Sequence, residues 1–309
     1  MAVTWQLAND PRLRTLSFAR FDVLRVAGAM LCCVASQLLY FTRWYWLLRV
    51  VEVPLVWVAA VATAAVAQLV GTLALGAAAS DVYRGVSVGG RCAGHRVGVV
   101  TSILADRVSG LYAIVCLAAI SALPAAPGND SWNAVRTVSL PVLWTAVAVG
   151  GLCIAAGLFL NLGPALEFTR RWPLVHGMVV PVLTAIERFR SRPWVYAAAI
   201  LAGISVHAVN AAGFWLLAGG LSLPHPSLLQ HCLILSLVAC TGLLPLPLAG
   251  LGAVELMIDR LYEAAAPGSQ GAGVITSLIF RALSLGGTAA IAAMFVALAR
   301  LRPADEPAA

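Results

Sequence analysis

The chain has 309 residues, of which 61% are hydrophobic and only 11% charged, with a mean hydropathy of +0.90. A soluble domain carries ~25% charged residues, so most of this surface must be solvated by lipid. Its 20 basic residues are all arginine and give a net charge of +7; without lysine there is no Walker A loop, no Schiff base and no Ser-Lys dyad.

A bilayer span takes about 20 apolar residues. Runs of that kind occur at 23–41, 54–79, 97–123, 138–162, 194–217, 228–248 and 273–298, with a shorter apolar piece at 249–266. The expected fold is an all-α polytopic membrane protein of about 7–8 transmembrane segments in a single domain, 1–309. The first 22 residues hold Arg12, Arg14 and Arg20 and show no cleavage site, so no signal peptide is expected.

Charge sets the topology. The segment 85–96 contains Arg91 and Arg96, and 167–192 contains five arginines, whereas 218–227 contains no charge. Arginine-rich loops stay in the cytoplasm, so the runs 97–123 and 194–217 point outward and 138–162 inward. The last run ends at Arg300 and Arg302, which leaves the C-terminus cytoplasmic in an inner membrane. The same clusters are read as facing anionic headgroups rather than nucleic acid. Arg188, Arg190 and Arg192, near Trp172 and Trp194, suit an interfacial helix.

Two stretches repeat one charged pattern. Asp81 precedes Arg107 by 26 residues and Glu255 precedes Arg281 by 26 residues; the two sets are offset by 174. The helices bearing the arginines open with GVVTSIL at 98–104 and GVITSLI at 273–279. They point in opposite directions, which is the mark of an inverted repeat with a midplane site, its halves at about 23–123 and 138–300. The offset carries 23–41 into the run 194–217, Gly76 onto Gly250, and 71–79 onto 245–253. Pro245, Pro247, Gly250 and Gly252 interrupt any continuous helix. Both stretches are therefore expected as broken or re-entrant segments. Two features strain the inversion. The run 138–162 has no counterpart ahead of residue 1 at this offset. Inversion also puts the N-terminus outside and Arg43 and Arg49 inside, against Arg12, Arg14, Arg20 and Arg25.

Asp106 and Arg107 lie about 14 Å into their helix and Arg281 about 12 Å into its own, at 1.5 Å per residue. A mid-bilayer charge costs ~2.5–3.5 kcal/mol even on the lenient scale. Neighbours on a helix do not face each other, so the partner of Arg107 is Asp81 rather than Asp106, and that of Arg281 is Glu255. These groups read either as a site for an anionic phosphate or as buried pairs that fix packing. Thr101, Ser102, Thr276 and Ser277 either line that cavity or bond back to their own helix. His207 and Asn210 read as packing. The seven cysteines lack CxxC or zinc spacing, so neither metal nor cofactor is expected, and no hydrolase motif points to an enzyme.

These stretches resemble the lysylphosphatidylglycerol synthase transmembrane region, or flippase-like domain, which includes the membrane half of the multiple peptide resistance factor. Its first segment reads here as LGAAASDVYR at 75–84, followed by DRVSG at 106–110; Asp81, Arg84, Asp106 and Arg107 match, while Leu75, Ala77 and Gly110 replace its Pro, Arg and second Asp. Its second reads LPLPLAGLGAVE at 244–255 and FRAL at 280–283, with Leu248 and Ala249 in place of Pro-Gly. The likeness runs from about Gln37 to Leu298. Members usually have one more N-terminal helix, and the soluble aminoacyl-transferring domain follows the membrane part, so that activity is not expected. The resemblance implies a flippase-like protein translocating a phospholipid or polyprenyl-linked anionic group, with a partner enzyme that makes the lipid. An accessory or lipid-binding protein with structural ion pairs is the alternative. Oligomeric state is left open.

Overall fold

The computed structural model describes residues 21–74, 76–123, 129–159, 167–240 and 250–301. All regular structure among them is helical: α1 Val23–Val50, α2 Trp57–Leu73, α3 Ala77–Arg91, α4 Arg96–Ala122, α5 Asp130–Phe159, α6 Pro173–Arg190, α7 Pro193–Gly220, α8 Leu228–Ala239, α9 Ala253–Ala265 and α10 Ala272–Leu301. Five of these (α1, α4, α5, α7 and α10) are long and apolar enough to cross a membrane, and α2 and α8 are shorter apolar helices. The chain is thus a multi-pass membrane protein.

The apolar run at 54–79 is not one helix. It divides at Ala74–Gly76, where Gly76 takes φ 66, ψ −139, and its N–H donates to the Gly71 carbonyl at 2.9 Å. A Cβ on Gly71 would lie 2.8 Å from the Gly76 oxygen, so both glycines are needed for the chain to double back. The first break is therefore narrower than the stretch 71–79 expected from sequence. In the second half Gly250 and Gly252 also take positive φ, 73 and 94, just ahead of α9. Pro245 and Pro247 lie outside the described residues.

Helix ends follow local chemistry. The Asp22 carboxylate accepts the Leu24 and Arg25 N–H groups at the start of α1. The Asn129 side chain accepts from Trp132 N–H ahead of α5, and Ser227 with Gln230 forms a capping box on α8. Asp259 in α9 accepts N–H bonds from Gly271, Gly273 and Val274, so one helix caps the next. α5 buries only Trp132 and Leu143 along its length; an apolar helix so little covered by protein must face lipid. Arg188 of α6 donates to the Val51 carbonyl at 2.7 Å and ties that basic helix to the α1–α2 turn.

α1 and α7 cross in antiparallel fashion at close range. Asp22 N–H meets the Gly220 carbonyl at one end. Gly28 and Gly213 pack against Leu216 and Cys32 further along, and Gly203 lies against the Arg43 guanidinium toward the other end. Small residues permit this approach. Between these points Ser36 Oγ donates to Asn210 Oδ1 at 3.1 Å. α2 packs on α10 through its alanine-rich face, and α8 packs on α4.

Two apolar clusters occupy the two ends of the bundle. One gathers Phe41, Trp44, Leu48, Val99, Ala199 and Ile291; the other gathers Ala29, Cys33, Ala118, Phe214, Leu217 and Phe280. Every one of the long helices α1, α4, α7 and α10 contributes to both clusters. Each carries polar residues between the two: Ser36, Gln37 and Tyr40 in α1; Asp106 and Arg107 in α4; His207 and Asn210 in α7; Arg281, Ser284 and Thr288 in α10. A polar layer therefore lies near the middle of the helices, where a bilayer is least able to solvate it.

Candidate functional site

Three groups of charge occupy this layer. Arg107 of α4 and Asp81 of α3 form a two-pronged pair, Nε to Oδ2 at 2.7 Å and Nη2 to Oδ1 at 2.8 Å. The same Nη2 also donates to the Ala77 carbonyl at 3.0 Å, at the first turn of α3 beyond the break. Their side chains remain 32% and 25% exposed. In the second half Arg281 of α10 approaches Glu255 Oε1 at 2.7 Å. Glu255 is buried, and its Oε2 accepts the Gly252 N–H at 2.6 Å, so the carboxylate holds the backbone break and the arginine together.

The third group is a triad. Asp106 accepts from Arg43 of α1 on Oδ1, with Nε at 2.9 Å and Nη2 at 2.7 Å, and from Arg84 of α3 on Oδ2 at 3.1 Å. All three are almost fully buried: 2% exposed for Arg43, 0% for Arg84, 2% for Asp106. Arg84 also donates to the Tyr40 hydroxyl at 3.0 Å and lies over the Tyr40 and Trp44 rings.

Arg43 corrects the sequence reading. It is no loop residue: α1 runs on to Val50, and Arg43 sits inside the helix against Asp106. Asp106 is correspondingly turned to Arg43 and Arg84, away from Arg107, its neighbour in sequence. His207 and Asn210, read as packing, both line cavities. The hydroxyls divide. Ser102 and Thr276 bond back to the carbonyls of Val99 and Ala272, Thr101 lines a separate groove between α4, α5 and α6, and Ser277 reaches the cavity beside Arg281.

Two cavities flank the layer. The larger, about 550 Å³, is lined by Arg43, Asp81, Asp106, Arg107 and Gly110 among others. The smaller, about 420 Å³, is lined by Arg281, Phe280 and Ser277 among others. Gln68, Thr72, Gly76, His207, Asn210 and Ser284 belong to the walls of both. Arg107 and Arg281 therefore face adjoining spaces with a shared polar partition, and the backbone break at Gly76 is part of it. Glu255 and Arg84 lie behind these walls, each holding a group that lines a cavity: Arg281 and Asp106. Among the described residues no group of His, Cys, Asp and Glu could hold a metal ion.

Buried, paired charge at mid-helix depth, broken backbone beside it and polar-lined cavities define a helical membrane protein with an interior polar site. The chain belongs to the lysylphosphatidylglycerol synthase TM region family, whose sequence model matches residues 1–292. The match includes Asp81, Arg107, Glu255 and Arg281. No curated protein and no solved structure matches the chain.

Proposed function

We propose that this is a flippase-like protein that passes a phospholipid or a lipid-linked anionic group between leaflets. The headgroup enters the paired cavities, where Arg107 and Arg281 meet its phosphate, while the acyl chains stay in lipid. The observation that carries this reading is the shared wall of the two cavities, each with one partly accessible arginine. When the site is empty, Asp81 and Glu255 hold the guanidiniums in place. The chemistry this reading assigns to the chain is binding and passage, with no enzymatic step.

We read the architecture as an inverted repeat in which α1–α4 correspond to α7–α10. At an offset of 174, α1 overlaps α7, α2 overlaps α8, α3 overlaps α9 and α4 overlaps α10. Ser36 and Asn210 are equivalent by that offset and are bonded to each other where α1 and α7 cross, as expected of residues beside a two-fold axis. The GVVTS and GVITS openings need one further residue of slip relative to the arginines. Alternating opening of the broken segments at Gly76 and at Gly250–Gly252 would expose the cavities in turn. From its arginine-rich loops we read the protein as lying in the cell inner membrane with a cytoplasmic C-terminus.

One observation favours the alternative of a lipid-binding accessory protein: the Arg43–Asp106–Arg84 triad is too deeply buried to touch a headgroup as it stands. Reconstitution separates the readings. Vesicles with fluorescent lipid in both leaflets are quenched from outside; the transporter reading expects the protected half to shrink with wild type and to persist with Arg107→Ala/Arg281→Ala. Equal loss with both proteins, or none with either, refutes it.

A further inference from the structure

The two halves of the polar layer do not carry the same charge. Asp106 is shared by two guanidiniums, Arg43 and Arg84, so this triad bears one net positive charge. The adjacent Asp81–Arg107 pair is neutral, and so is Glu255–Arg281. At the offset of 174, the positions of Tyr40, Arg43, Arg84 and Asp106 are filled by Phe214, Leu217, Ile258 and Phe280, all members of one apolar cluster. The excess charge thus belongs to the first half alone, beside the larger cavity. With His207 counted neutral, the lining residues Arg43, Arg107, Asp81 and Asp106, with Arg84 behind Asp106, make three cations against two anions. An unbalanced charge at this depth is costly unless a counter-charge joins it.

Gly110 keeps the charge unbalanced. It follows Asp106 by one helical turn on the same face of α4, and a Cβ added there would lie 3.1 Å from Arg43 Nη2 and 3.3 Å from Nη1. A carboxylate at 110 would sit on the Arg43 guanidinium and neutralise it. With glycine there, the guanidinium edge lies against bare backbone at the cavity wall. The other wall groups, Gln68, Thr72, His207 and Asn210, offer hydrogen bonds without fixed charge.

We infer that the larger cavity selects a lipid headgroup bearing one net negative charge, a phosphodiester without a compensating amine, with Arg43 as the source of the selectivity and Gly110 as the position that preserves it. This rests on the reading that the cavity receives a headgroup. Arg107 touches the phosphate; Arg43, itself nearly inaccessible, acts through its field, which falls off slowly in a poorly polarisable interior. No excess cation of this kind accompanies Arg281: its pair with Glu255 is neutral, and the positions equivalent to Arg43, Arg84 and Asp106 are apolar.

The test uses the full chain in bilayer discs of equal phosphatidylglycerol (net charge −1) and phosphatidylcholine (net charge zero), with native mass spectrometry of the lipid retained. Wild type is expected to keep the anionic lipid at least about tenfold over the neutral one. Gly110→Asp is expected to bring the ratio to within about twofold of unity, while Gly110→Asn, of the same shape without the charge, lowers it by less than about threefold. Equal retention by wild type overturns the inference, as does an unchanged ratio in Gly110→Asp or an equal collapse in the Asp and Asn variants. Should Gly110→Asp not fold, the wild-type ratio still decides, and Arg43→Leu, which leaves Asp106 paired with Arg84 one to one, takes its place. Retention is read without transport: selective binding with no lipid movement refutes the flippase reading alone, and movement without selectivity refutes this inference alone.

Discussion

Asp106→Asn is the most informative single change, because it removes a charge and almost no volume. Wild-type Asp106 accepts three side-chain contacts within 3.1 Å from two arginines that are 2% and 0% exposed. Removing one partner of a buried pair costs ~3–5 kcal/mol, because the charge left behind has nowhere to go; here two cations would be left. At ~2.1 cal/mol/K of unfolding entropy per residue, a chain of 309 residues shifts by about 1.5 °C per kcal/mol, so a fall of roughly 5–8 °C is expected. Asp81→Asn is the internal comparison. Its pair is part-buried, 25–32% exposed at the cavity, so the arginine left behind still reaches water there, and less than half the fall of Asp106→Asn is expected. Thermal unfolding in detergent, followed by tryptophan fluorescence, reads both. Replacing the triad by Arg43→Met/Arg84→Met/Asp106→Leu should recover most of what Asp106→Asn loses, since apolar replacements of buried ion triads are often neutral. Melting temperatures for Asp106→Asn and Asp81→Asn within about 2 °C of each other would refute the reasoning.

Gly252→Ala should destabilise by ~1–3 kcal/mol through backbone strain alone: φ is 94 there and an added Cβ meets nothing within 4 Å, so an unchanged melting temperature would show the break to be relaxed. Tyr262→Phe strips the 2.6 Å bond from the buried His231 Nε2 that joins α8 to α9, and a loss of ~1–3 kcal/mol is expected in denaturant titration. Asp259→Ala frees the N–H groups of Gly271, Gly273 and Val274; the expected loss is ~1–2 kcal/mol, with faster hydrogen exchange confined to the start of α10.

The Asp81–Arg107 and Glu255–Arg281 relations were legible because charge is scarce in this chain and the spacing of 26 recurs. The bond from Arg107 to the Ala77 carbonyl and the Gly252–Glu255 bond were not, since both depend on how α3 and α9 leave their breaks. Arg43 escaped because it lies just beyond an apolar run and next to Arg49, where a loop arginine is expected. The signal that could have found it is the sequence around it: Trp44, Tyr45, Trp46, Leu47 and Leu48 carry the helix on to Val50. His207 and Asn210 are isolated polar groups within one apolar helix, and only their position opposite Ser36 and Gln37 gives them meaning. The run 54–79 hid its division because alanine and glycine serve equally well inside a packed span and beside a break; the left-handed Gly76 decides between them. The segment at 138–162 was placed too late, because α5 begins at Asp130 behind its Asn129 cap and continues through Pro141.

The central claim is that Arg107 and Arg281 serve consecutive parts of one path. Lipid flux through vesicles containing wild type, Arg107→Ala, Arg281→Ala and the double variant tests it most directly, because steps in series are not additive. The account predicts that each single substitution abolishes flux as completely as both together. Half the flux in each single variant, with none in the double, would mean two independent routes and would contradict it, as would full flux in either single variant.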